Sequence, residues 1–251
     1  MLDALVAGAR EALGGNFLGA YLVGSFAVGD ADEHSDVDFI VATRRELSAH
    51  EQDALQALHG QLYELPTPWA QHLEGSYVPA DALRTPDPAR TFFYLDNGSR
   101  ELVWDTHCNT AVVRWTLREH GIVLAGEPAA VSVGHRELRN EACAKLDEYA
   151  IWTRERSTMS RWLQPYLVLS FCRMLQTLAS ATVVSKRVAG EWALRELDPE
   201  WRDLISAALA DRPDPWLRVQ QPAPADEVAR TRQFIEYALA HGTDQRAARD
   251  D

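Results

Sequence analysis

Asp36 and Asp38 flank a single valine in the run Ser35-Asp36-Val37-Asp38-Phe39-Ile40-Val41. Side chains alternate along a strand, so the two carboxylates share one face while Val37 and Phe39 turn toward the core. Carboxylates held side by side repel each other and raise each other's pKa unless a cation lies between them. Hard oxygen donors at this spacing suit Mg2+, which is usually held by one or two carboxylates together with substrate phosphates. Upstream, an apolar run from Phe17 to Val23 stops at Gly24-Ser25. Gly24 would let the backbone approach a phosphate closely, and Ser25 can donate from both side chain and amide. A third acid, Glu74, lies in Trp69–Val78, which reads as a strand ending at Pro79. Leu73 and Glu74 face opposite sides of such a strand, so Glu74 stands beside the aspartates if the two strands are neighbours. The plainer alternative is a hairpin with two wet aspartates, and a solvated Glu74.

The elements that must position these residues follow from periodicity. Leu2, Leu5, Val6 and Leu13 recur at helical spacing, and Gly14-Gly15 closes that helix. Ser48 with Glu51 three residues on forms a capping box for a helix through Leu55, Leu58 and Leu62, broken by Pro66 and Pro68. Thr91–Cys108 reads as two strands around an Asn97-Gly98 turn. Thr110–His120 reads as a helix, with a short strand at Val123-Leu124. Beyond Gly126-Glu127-Pro128 the pattern is wholly helical, with helices expected over 136–156, 164–179, 185–196, 199–210 and 225–241. Leu167, Phe171, Met174, Leu175 and Leu178 form an apolar stripe suited to a bundle core. The reading is an α+β protein: a mixed sheet flanked by helices over 1–135, a helical bundle over 136–242, and a polar disordered tail over 243–251. Asp211–Pro224, with four prolines, reads as a loop.

The 251 residues can bury a sizeable core, and 46% apolar with 25% charged residues is the composition of a soluble globular protein. No stretch is long and apolar enough to span a membrane, and the N-terminus reads as an amphipathic helix rather than a signal peptide. Cys108, Cys143 and Cys172 have no metal-binding spacing, which points to a reducing cytoplasm. A net charge of −12 argues against a nucleic-acid partner, because binding a phosphate backbone needs a basic face. It fits a small cationic substrate, and it also serves solubility.

Gly-Ser at a strand end, followed by Asp-x-Asp entering a second strand, resembles the signature of the nucleotidyltransferase superfamily that includes DNA polymerase beta. The helical half narrows the resemblance. Tyr166–Leu197 looks like the C-terminal domain of the aminoglycoside (3″)(9) adenylyltransferases, which act on streptomycin and spectinomycin, and Leu117–Pro128 is similar to the linker of that family. The resemblance covers most of the chain. It implies that Asp36 and Asp38 bind metal, with Glu74 as third ligand and catalytic base, and that Ser25 and Ser35, with Gly24, lie near the ATP phosphates. It also implies that Arg173 and Lys186 hold those phosphates from the helical domain. Read from their own helices, Arg173 would be a snorkelling or ion-paired residue and Lys186 a surface residue. The implied reaction transfers AMP from ATP, with two Mg2+ ions, to a hydroxyl of an aminoglycoside or aminocyclitol and releases pyrophosphate. A monomeric cytoplasmic enzyme is expected. The family's acidic drug contacts have no counterpart in Ser157–Tyr166, which contains no acid. Two alternatives therefore stand beside this reading: the same chemistry on another metabolite or a protein, and a non-catalytic nucleotide-binding or antitoxin-like protein.

Overall fold

The computed structural model describes residues 1–31, 35–211 and 219–250, excluding the side chains of 244–250. Its contacts divide the chain into two compact units, Met1–Val133 and Gly134–Asp251.

The first unit is a six-stranded mixed sheet: β1 Phe17–Leu22, β2 Val37–Thr43, β3 Leu73–Pro79, β4 Phe92–Leu95, β5 Leu102–Asp105 and β6 Ile122–Gly126. Their order is β5-β4-β3-β2-β1-β6, in which β2 and β3 run parallel and every other pair antiparallel. Both faces of the sheet are covered, which is why β2 reads as an unbroken apolar run rather than an alternation. Val37, Phe39 and Val41 pack with Leu5 and Ala9 of α1 (Leu2–Leu13) and Leu55 and Leu62 of α3 (Ala49–Tyr63). Ile40 and Ala42 turn the other way, onto Ala82 and Leu83 of α4 (Ala80–Arg84) and Leu117 of α5 (Ala111–His120). The capping box forms: the Ser48 hydroxyl accepts from the Glu51 amide, and the Ser48 amide donates to Glu51 Oε2 at 2.7 Å.

One local expectation needs correction here. The segment from Trp69 does not join the third strand, because Pro68 opens a 3-10 turn over Pro68–Gln71 and β3 begins at Leu73. β1 and β2 pair antiparallel, as the hairpin-length gap between them implies, and the connection includes a helical turn, α2 (Gly24–Ala27).

The second unit is helical: α6 His135–Arg154, α7 Leu163–Ser180, α8 Lys186–Glu196, α9 Arg202–Ala210 and α10 Ala225–Asp250. The central helix, α7, packs against α6, α8, α9 and α10. Leu167, Phe171 and Leu175 are fully buried. The region expected as one helix from Pro199 starts as a 3-10 turn over Pro199–Trp201 before α9. The final helix continues past His241, so the stretch set aside as a tail is helical to residue 250. Ala, Arg and Gln there favour helix. Residue 251, and residues 212–218 of the expected loop, lie outside the described residues.

Candidate active site

Strand register builds the acidic centre. In the parallel β2–β3 pair, Asp38 is the direct partner of Glu74, and the pairing then runs Phe39 to Gly75 and Ile40 to Ser76. Asp38, Ile40, Glu74 and Ser76 therefore share one face of the sheet. Asp36 precedes β2, and its carboxylate joins the same group. One ligand oxygen from each of Asp36, Asp38 and Glu74 lies within 4.8 Å of the others. All three residues are half-buried. Three carboxylates at that spacing repel strongly. A hard divalent cation removes the repulsion, so the donor set fits such an ion.

Gly24 is explained by Asp38. Its φ of +65° favours glycine, and a Cβ at this position would sit 1.7 Å from Asp38 Oδ2. The turn after β1 is thus open where the second aspartate needs room. Ser25 follows, and its Oγ is buried with no hydrogen-bond partner among the described residues. A buried hydroxyl without a partner is costly to leave so, and it marks a donor available to a ligand oxygen. Ser35 is buried beside the aspartates in sequence, at 5% exposure. Gly75 has a packing role, since a Cβ there would meet the Phe39 carbonyl oxygen at 2.1 Å across the β2–β3 pair.

The β4–β5 region supports the acids in a way the sequence reading did not anticipate. Asn97 Nδ2 donates to Asp36 Oδ2 at 3.4 Å, and Asn97 Oδ1 is 3.3 Å from His72 Nδ1. The Tyr94 hydroxyl lies 3.0 Å from Glu74 Oε1 and 2.9 Å from Asp96 Oδ1. His107 Nε2 lies 3.0 Å from the same Glu74 Oε1. The Tyr94 and His107 rings are stacked, with centroids 4.9 Å apart. The hydrogen bond to Glu74 holds the His107 pKa above its usual value against the opposing effect of burial. Burial, and then the Glu74 charge, raises the Tyr94 phenol. Only the Asn97-Gly98 turn was visible in the sequence. The placement of Tyr94 comes from β3–β4 pairing, in which Ser76 opposes Tyr94.

Arg173 and Lys186 both belong to the helical unit. Lys186 Nζ sits 4.0 Å from the centroid of the Tyr166 ring. Tyr166 stacks on Trp162 with centroids 5.0 Å apart, and its hydroxyl lies 3.3 Å from that of Tyr149. Lys186, the largest influence, pulls the Tyr166 pKa down and Arg173 adds to it, while burial and Tyr149 push it up, for a net rise. The two cations therefore act on one aromatic cluster of that unit.

These features define a class before they define a family. Residues 9–84 match the nucleotidyltransferase domain, which makes the sheet unit with its Gly-Ser and Asp-x-Asp a nucleotidyltransferase domain. Residues 137–240 match the C-terminal domain of aminoglycoside adenylyltransferase. The chain belongs to the aminoglycoside adenylyltransferase family of nucleotidyltransferases. A crystal structure of the spectinomycin adenyltransferase AAD(9) from Enterococcus faecialis, with ATP and spectinomycin, has the same α+β architecture. It matches with a TM-score of 0.72 over 96% of this chain and 98% of that one, at 13% identity. No curated protein matches the sequence significantly. Among the described residues, no helix is long and apolar enough to cross a membrane.

Proposed function

We propose that the protein transfers AMP from Mg-ATP to a hydroxyl of an aminocyclitol or aminoglycoside of the spectinomycin or streptomycin type, releasing pyrophosphate. The observation that carries this reading is the convergence of Asp36, Asp38 and Glu74 on one face of a nucleotidyltransferase domain. A divalent cation held by these carboxylates, in the family's manner two Mg2+ ions, would offset charge on the phosphates and the attacking oxygen. Glu74 takes the proton of the acceptor hydroxyl. The acceptor oxygen then bonds to the α-phosphorus as the bond to the bridging oxygen breaks, and that oxygen leaves with pyrophosphate. Ser25 and Ser35 donate to phosphate oxygens beside the opening left at Gly24. Arg173 and Lys186 supply positive charge to the triphosphate. The AAD(9) structure, which holds both ATP and spectinomycin, supports the pairing of these two substrates.

One observation favours a second acceptor class. Ser157–Tyr166 carries no acid and instead presents Trp162 and Tyr166, with Lys186 over the latter ring. Without an acid in this stretch a cationic drug lacks a charge partner there, which favours a less basic hydroxylated acceptor. The test is pyrophosphate release from Mg-ATP with spectinomycin, streptomycin and neutral hydroxylated compounds supplied separately, and mass spectrometry of each product. An acceptor mass raised by one adenylyl group identifies the substrate. Acceptor-stimulated release with no drug product would withdraw the antibiotic assignment and leave the chemistry standing.

A further inference from the structure

Glu74 has two carboxylate oxygens, and the structure treats them differently. Both of its hydrogen-bonding neighbours among the described residues meet Oε1: the Tyr94 hydroxyl and His107 Nε2, each at 3.0 Å. Tyr94 reaches it along the sheet face that carries Asp38 and Glu74, from a position opposite Ser76. His107 reaches it from just beyond β5, where its own amide donates to Asp105 Oδ1 at 2.7 Å. Their rings stack nearly parallel, at 20°. The two donors therefore converge on one atom as a single rigid unit.

We propose that Tyr94 and His107 are positioning residues that clamp Glu74 Oε1, leaving Oε2 for the cation and the acceptor proton. This rests on the reading of Asp36, Asp38 and Glu74 as a metal-dependent transfer centre. A glutamate has three side-chain torsions, and without partners its carboxylate rotates among several orientations. Only some of these direct an oxygen toward Asp36 and Asp38. The paired hold also meets a shortage of protons. The Tyr94 hydroxyl has one proton and two carboxylates within reach, Glu74 and Asp96. His107 holds Oε1 during the time Tyr94 donates to Asp96. Partners that orient metal-binding carboxylates in this way typically contribute ~10–100-fold to metal affinity or activity.

The test is Mn2+ titration of the full-length protein, followed by electron paramagnetic resonance or calorimetry, alongside turnover. His107 is more than half exposed, so His107→Ala leaves the core intact, and Tyr94→Phe keeps the buried ring. Each variant should weaken Mn2+ binding about 10-fold and lower kcat by a similar factor, with KM for ATP unchanged. His107→Gln, whose amide can still donate to Oε1, should recover most of the loss. In a Glu74→Gln background, adding His107→Ala should change Mn2+ affinity little, since the group it positions has already gone. Affinity within twofold of wild type in both single variants overturns the clamp alone. So does an equal loss in the Glu74→Gln background. Failure of the wild-type protein to bind Mn2+ more tightly than Asp38→Asn overturns the metal reading, and the clamp with it.

Discussion

The acidic centre of the sheet unit and the cation pair of the helical unit are built on different plans. Asp38 and Glu74 are neighbours because β2 and β3 pair in parallel at one register, and a slip of one residue would turn Glu74 to the opposite face. Asp38 is short and sits on a paired backbone, while Asn97 holds Asp36, and Tyr94 and His107 restrict the longer Glu74. Lys186 and Arg173 stand on separate helices at the ends of long side chains, and Lys186 is steadied by the face of Tyr166. The first plan fixes geometry for chemistry. On the proposed function, the second would supply charge that can follow a ligand, at the cost of more side-chain entropy when one binds. Changes at the acids should therefore act on turnover, and changes at the cations on affinity.

The largest effect tests the first half of that contrast. Asp38→Asn should abolish Mn2+ binding and transfer together. Gly24→Ala should come close to it, because its Cβ would lie on top of Asp38 Oδ2 and its φ is positive. Near-normal activity in Gly24→Ala, measured as pyrophosphate release, would show that the opening at residue 24 does not serve Asp38.

Glu74→Gln comes next. It should lower kcat by ~10²–10⁴, the usual worth of a general base, and leave ATP affinity nearly unchanged. A rise in the ATP dissociation constant with kcat preserved would move Glu74 from chemistry to binding.

The cations should show the reverse pattern. Lys186→Ala or Arg173→Ala should raise the dissociation constant for ATP by roughly tenfold or more, the scale of a lost hydrogen bond to a charged group. Isothermal titration of nucleotide with each variant checks this, and equal affinity in both would remove these residues from the phosphate site.

The smallest effect concerns how the register itself is held. His59 Nε2 lies 2.9 Å from the Tyr77 hydroxyl beneath β3, and its ring stacks on Phe39 of β2. Burial lowers its pKa from 6.5 to about 4. The folded protein therefore binds fewer protons than the unfolded chain between those values. The stabilising contribution is complete above pH 6.5 and is lost as pH falls through that window, at a rate approaching ~1.4 kcal/mol per pH unit. Denaturant unfolding from pH 7 to 5 should show a steeper loss of stability for wild type than for His59→Gln. Parallel curves would mean that the buried imidazole carries no such linkage.

The same contrast explains how much could be read from the sequence. Asp36-Val37-Asp38 was legible because the pairing of like charges at a spacing of two is a local pattern, and the capping box at Ser48 and Glu51 is equally local. The start of β3 was misplaced because Pro68 set a 3-10 turn in a stretch whose apolar content suits a strand. Tyr94, Asn97 and His107 could not be found, since their roles depend on antiparallel pairing and loop paths that bring together residues up to 61 positions apart. Gly24 was recognised as special, but for closeness to a phosphate; the observed crowding at Asp38 needs the fold to be seen. Arg173 and Lys186 carried no signal of their own and came into view only through the family resemblance.

If the proposed function holds, this acidic centre moves the α-phosphate group and its adenosine to the acceptor. That transfer is tested most directly by incubating the protein with Mg2+, an acceptor panel and ATP labelled at either the α- or the γ-phosphate, beside Asp38→Asn. α-Label should appear on an acceptor and γ-label in pyrophosphate, with both lost in the variant. Label from the γ-phosphate on an acceptor, or α-label transfer that survives in Asp38→Asn, would contradict the proposed function.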